Sequence, residues 1–152
     1  MNDRLKFRIF EKETKTMVEL DAVGYSSFDP FKEGKSRLIM IPSGLGNTFH
    51  YDKQCLYDNK RFSKPMQCTG LKDKAGKLIF EADILRDSLK DKLYRVAWIG
   101  CRAGFEIVEI LQKQSTGYTP PPGTMYLTNQ SFNRFAIIGN IYENPELLEV
   151  KV

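Results

Sequence analysis

The sequence predicts a mainly β protein: a small barrel-type β domain preceded by an N-terminal hairpin and an irregular lobe, with little helix. Three observations predict it. The chain opens on a two-residue alternation, carries short apolar runs separated by polar or glycine-bearing turns between Gln67 and Ile110, and resumes an apolar strand at Phe135–Tyr142. With 152 residues, 41% hydrophobic, 12% aromatic and 28% charged, the composition is globular and the length suits one ordinary domain or two small lobes.

Taken in order, Leu5, Phe7 and Ile9 alternate with Arg4, Lys6 and Arg8, which predicts a strand with one buried face. The polar stretch Glu11–Thr16 reads as a turn and Met17–Leu20 as the returning strand of a hairpin. From Val23 to Lys64, Gly24, Pro30, Gly34, Pro42 and Gly44 punctuate the chain, and Leu38–Ile41 is its one clear apolar run. Tyr51–Tyr57 fits a single helical turn. Residues 1–64 are therefore expected to form the hairpin and an irregular β-containing segment, and residues 65–152 the barrel-like domain.

Within the second segment, Ile79-Phe80, Ile84-Leu85, Tyr94–Ile99 and Phe105–Leu111 are spaced as strands of a small barrel or sandwich. Asp73-Lys74-Ala75-Gly76-Lys77 has the chemistry of a tight reversal, Asp87–Lys92 is a second polar connection, and Gly100 and Gly104 bracket a third. Residues 113–131 read as an inserted, exposed loop, because Pro120, Pro121 and Pro122 fix their φ angles and donate no ladder hydrogen bonds. Asn144–Glu149 is expected to make one helical turn with Pro145 at its first position.

The 23 basic and 19 acidic residues give a net charge of +4. Residues 1–64 hold 12 basic minus 9 acidic, or +3, and the remainder 11 minus 10, or +1, so neither half is a basic arm. Such a balance permits a nucleic-acid partner without demanding one. Cys55, Cys68 and Cys101 are odd in number and form no CxxC pair, which argues against a disulfide framework or a cysteine-pair zinc site and for a reducing cytoplasm. No signal-peptide pattern and no run of about 18 apolar residues is present, so neither secretion nor a membrane span is expected.

The run from Gln67 to Ile84, with Thr69-Gly70-Leu71-Lys72-Asp73-Lys74-Ala75-Gly76-Lys77 at its heart and Glu81-Ala82-Asp83 near its end, resembles the signature of the YopX family of phage and prophage proteins. A second family-like run, Gly139-Asn140-Ile141-Tyr142-Glu143-Asn144-Pro145-Glu146-Leu147-Leu148, follows intact, and Lys6–Phe10 with Met17 is similar to the family's start. Together these touch about a quarter of the chain, in the family's order. Phe10 stands for the usual tryptophan, Glu11 for aspartate and Ala82 for glycine. The alanine at 82 leads us to expect no positive φ there. The resemblance implies a β-rich, SH3-like barrel and an uncharacterised function.

Several constellations carry candidate chemistry. Glu81 and Asp83, two apart on an expected strand, share one face as an acid/base pair would, yet read better as a solvated strand start. His50 is the single histidine, so a metal or nucleophile site needs one of the three thiols to converge on it by folding alone. Ser43–Thr48 lacks the lysine and helix of a phosphate loop. No catalytic residue, metal or cofactor is expected, and the protein is read as a non-enzyme.

Lys72, Lys74 and Lys77 in one reversal, with Arg86, Lys90 and Lys92 in the next, are a candidate basic rim beside Phe80 and Tyr94, where stacking and phosphate neutralisation would hold nucleic acid. Asp73, Glu81, Asp83, Asp87 and Asp91 interleave with these cations and are expected to cancel much of their field. Trp98, Phe105, Phe135 and Tyr142 are expected in the core. Tyr118, Pro120, Pro121, Pro122 and Tyr126 form a candidate interaction loop, a stiff surface for docking or a brace against the barrel.

The leading expectation is a cytoplasmic accessory protein of a phage or prophage in its bacterial host, acting by self-association or by binding a phage or host protein. A nucleic-acid-binding module is the alternative, and a membrane is not an expected partner. Exposed strand edges favour pairing between copies.

Overall fold

The computed structural model describes residues 6–26, 37–42, 60–100, 103–110, 125–126 and 134–149. The protein is mainly β, and the chain divides into two compact units, Met1–Gln67 and Cys68–Val152.

In the first unit, β1 (Phe7–Glu11), β2 (Thr16–Ser26) and β3 (Arg37–Pro42) form an antiparallel meander, and β1 also pairs with the start of β4 (Met66–Lys72). The expected hairpin is therefore present, and its second strand runs further than the Met17–Leu20 pattern indicated. Lys15, in the left-handed region at φ 55°, closes the turn. Ile9 and Leu20 are buried among Phe7, Val18, Val23 and Phe62.

Strict alternation fails in β1, where Arg8, Ile9 and Phe10 are consecutive buried residues. The strand is central in its sheet, with a neighbour on each edge. The Phe10 N–H donates to Ser63 Oγ at 3.0 Å, Ser63 N–H returns to Phe10 O at 2.9 Å, and Glu11 forms an ion pair with Arg61. These bonds seat the 61–63 segment along β1.

In the second unit, the rest of β4 pairs with β5 (Leu78–Phe80) across a register shift. The strands β6 (Asp83–Asp87), β7 (Lys92–Ile99), β8 (Gly104–Glu109), β9 (Met125–Tyr126) and β10 (Phe135–Asn140) form an antiparallel sheet ordered β10-β6-β7-β8-β9. Its core is Ile79, Leu85, Tyr94, Val96, Ile107 and Phe135, with Leu71, Phe105 and Ile137 packed against it. Tyr94 and Phe135 meet edge to face, 5.7 Å between centroids. Each such buried side chain contributes roughly 1.5–3 kcal/mol relative to an exposed one, so this cluster dominates the unit's stability.

The apolar runs at Ile79-Phe80, Ile84-Leu85 and Tyr94–Ile99 lie in β5, β6 and β7, while those read at Phe105–Leu111 and Phe135–Tyr142 give shorter strands that end at Glu109 and Asn140, with Ile141 and Tyr142 in the following turn. The inserted loop is less separate than expected, because Met125 and Tyr126 return as β9 and pair with Ile107 and Glu106. Pro145–Leu148 forms a 3-10 turn with proline at its beginning, as its φ favours.

Candidate functional site

Three segments of the second unit meet at one end of the β6–β10 ladder: the 73–77 turn, the 87–91 turn and the start of β10. Asp73 organises the first. Its Oδ1 accepts from Ala75 and Lys77 N–H, both at 2.9 Å, while Gly76 takes φ 81°, which a residue without Cβ adopts without strain. Asp73 Oδ2 reaches 64 residues along the chain to accept from Ile137 N–H at 3.1 Å.

Asp87 organises the second turn. It is fully buried, its Oδ1 accepts from Leu89 and Lys90 N–H, and its Oδ2 lies 3.4 Å from the Arg134 guanidinium. Backbone bonds from Lys74 N to Phe135 O and from Ser88 N to Arg134 O fix both turns to β10, and Lys74 Nζ donates to Ser88 Oγ at 3.0 Å. The two turns thus sit side by side, as a shared rim requires.

The rim's cations differ in their engagement. Lys72, Lys74, Lys77 and Lys90 are exposed. Arg86 is paired with Asp91 at 2.5 Å, and Lys92 with Glu109 at 2.7 Å, a hydrogen bond that holds the Lys92 ammonium above its ordinary range. Of the interleaved carboxylates, Asp73, Asp83 and Asp87 are buried, while Asp91 stays exposed at the rim, paired with Arg86. Phe80 and Tyr94 are core residues, so they offer no stacking platform beside the lysines. Burial also raises the Tyr94 phenol above its ordinary value.

The opposite end of the ladder carries the rest of the two signature runs. Asp83, also buried, accepts from Phe80 N–H at 2.8 Å. Glu81 lies in the turn before β6 rather than on the strand, so the two carboxylates do not share a strand face. Ala82 adopts φ 68°, contrary to the ordinary angle expected of an alanine. The turn demands it: Ala82 N–H donates to Val96 O at 2.9 Å and its carbonyl accepts from Ile141 N–H at 3.1 Å, so both backbone groups are fixed between β7 and the 141–143 turn.

Gly139 explains its own place in the second run. A Cβ there would lie 2.3 Å from Asn144 Oδ1 and 2.8 Å from Asn144 Cγ. Asn144 fills that space, its Oδ1 accepting from Asn140 N–H at 3.3 Å, while buried Asn140 accepts from Tyr142 N–H at 3.0 Å. Sequence runs 60 or so residues apart are thus joined at Asp73–Ile137, Lys74–Phe135 and Ala82–Ile141, and the motifs are one scaffold.

Trp98 is the aromatic that leaves its expected place. Phe135 is buried and Phe105 is half-buried against the core, but Trp98 is 47% exposed and meets Phe105 edge to face at 5.0 Å. Trp98 shares the face of Tyr94 and Val96 and pairs with Phe105 in register, yet β6 begins at Asp83 and its pairing with β7 ends at Ile84–Arg95. The apolar face therefore continues past the strand that would cover it. Tyr142 is half-buried.

Tyr118, Pro120, Pro121 and Pro122 lie outside the described residues, as do His50, Cys55, Cys101, Ser43–Thr48 and Tyr51–Tyr57; for Tyr126 the structure describes its strand alone. Cys68 is buried. Among the described residues no group of three His, Cys, Asp or Glu is placed to hold a metal, and no helix is long and apolar enough to cross a membrane.

A family model described as YopX protein matches residues 6–149. Among solved structures, protein yopX from Bacillus subtilis is similar over 100% of both chains, at 18% identity and a TM-score of 0.51, a likeness of fold. Protein EF1440 from Enterococcus faecalis is 25% identical over 95% of this chain and 97% of its own, with a TM-score of 0.48. No curated protein matches.

Proposed function

Because the chain belongs to the YopX family, we propose that it is a phage or prophage accessory protein of the host cytoplasm that works by self-association or by binding another protein rather than by catalysis. The observation that supports this reading is Trp98. A half-exposed tryptophan braced edge to face by Phe105 presents rigid apolar area at small entropic cost, the property that makes tryptophan a frequent hot spot of protein interfaces.

Trp98 is the chain's single tryptophan, so its emission reports on that surface alone. Light scattering and fluorescence across a concentration series are expected to show mass rising as the emission moves to the blue. Replacing Trp98 with alanine is expected to weaken association by roughly 30-fold, the loss of one hot spot of about 2 kcal/mol. If self-association is absent, capture from infected cells by the parent and by Trp98→Ala decides the second arm, and equal recovery of every partner sinks the reading.

A further inference from the structure

We propose that the rim formed by Lys72, Lys74, Lys77 and Lys90 binds the phosphate backbone of double-stranded nucleic acid, independently of the Trp98 surface. Folding creates this site out of a sequence in which cations and carboxylates alternate. The bond from Lys74 Nζ to Ser88 Oγ joins the two turns, and backbone bonds to Arg134 O and Phe135 O fix them to one strand end. Asp73 and Asp87 point inward, where backbone N–H groups and Arg134 engage their oxygens. What faces solvent from these turns is an excess of ammonium groups, with Arg86 and Asp91 a self-neutralised pair among them.

The acidic side chains of the C-terminal turn lie elsewhere. Glu143, Glu146 and Glu149 are exposed beyond Asn140, at the far end of β10 from Phe135, roughly 16 Å along a strand rising ~3.3 Å per residue. Their field at the rim is screened over more than a Debye length of about 8 Å at physiological salt. The exposed carboxylates of this turn are therefore separated from the rim lysines along the ladder.

The same geometry selects the ligand. Single strands are held by aromatic platforms as well as by charge, and Phe80 and Tyr94, the aromatics nearest these lysines in sequence, are in the core. Lysines on turns that have no stacking surface beside them among the described residues suit the regularly spaced phosphates of a duplex, contacted without reading bases. Leu89 is the one large apolar side chain exposed between them, too little for a membrane surface to gain much by its insertion.

The test is titration of the full chain into a fluorescent duplex at several salt concentrations, with a single strand of equal length and anionic phosphatidylserine vesicles as competitors. Four phosphate contacts predict a log–log salt slope near −3.6, or roughly a hundredfold loss between 50 and 200 mM salt. The triple variant Lys72→Gln, Lys77→Gln, Lys90→Gln is expected to retain the parent's melting temperature and lower the slope to about −1, while Lys64→Gln, in the first unit, leaves binding unchanged. A flat salt dependence, equal duplex binding by the triple variant, or preference for the single strand or the vesicles would each overturn the proposal.

Discussion

The two ends of the β6–β10 ladder solve one problem by different means. Both must turn a chain sharply beside a buried core and satisfy the backbone groups left over. At the Asp87–Phe135 end, buried carboxylates do this: Asp73 and Asp87 each gather several N–H groups, and the lysines between them are left to solvent. At the Asp83–Asn140 end the work is divided: Asp83 accepts from Phe80 N–H, Asn140 from Tyr142 N–H and Asn144 from Asn140 N–H, with Asn144 wedged where Gly139 has no Cβ and Ala82 in the left-handed region. The comparison teaches that carboxylates and the lysines between them build one end of this scaffold, and asparagines packed on a glycine build the other.

The largest break of that comparison is at Asp87. Asp87→Ala removes the acceptor for Leu89 and Lys90 N–H and the buried carboxylate that faces the Arg134 guanidinium, for an expected loss of about 3 kcal/mol in urea unfolding. Asp87→Asn keeps the Oδ1 acceptor and loses only the charge pair, so it is expected to cost about half as much. Equal losses from the two variants would show that the turn bonds contribute nothing.

The opposite end breaks by crowding. Gly139→Ala is expected to cost about 2 kcal/mol, because the new methyl must displace Asn144 from its bond to Asn140 N–H. Asn144→Ala alone is expected to cost about 1 kcal/mol, and Gly139→Ala made on top of it less than in the parent. Strict additivity in that cycle would sever the link between glycine and asparagine.

Much of this was legible in the sequence for a physical reason. Asp at 73 with Gly at 76 is a turn with its own acceptor and its own positive φ, and Pro145 announces the start of a helical turn by removing a donor the helix does not need. The hidden features are those that depend on distant partners. Asp87 sits in a polar run that reads as solvated, whereas it ends β6 on the face of buried Leu85, between β7 and β10 and beside Arg134 from far along the chain. Trp98 follows the core alternation correctly; what the pattern lacks is where β6 begins, and so where cover ends. The segregation of lysines from carboxylates at the rim is likewise a product of which side chains the turns consume.

Ala82 is the smallest effect and the most direct check on how the Asp83–Asn140 end is built. An L-residue in the left-handed region is strained by about 1–2 kcal/mol, which glycine would relieve. Against that stand about 0.4–1 kcal/mol for glycine's greater freedom in the unfolded chain and about 0.8 kcal/mol for the buried methyl lost from a residue only 5% exposed. The terms nearly cancel, so Ala82→Gly is expected within about 0.5 kcal/mol of the parent. Ala97→Gly, in the middle of β7 at an ordinary strand angle, has no strain to relieve and is expected to lose about 1 kcal/mol. The difference between the two substitutions isolates the backbone term. Equal losses at 82 and 97 would mean that the bonds to Val96 and Ile141 close this end without holding residue 82 in the left-handed region.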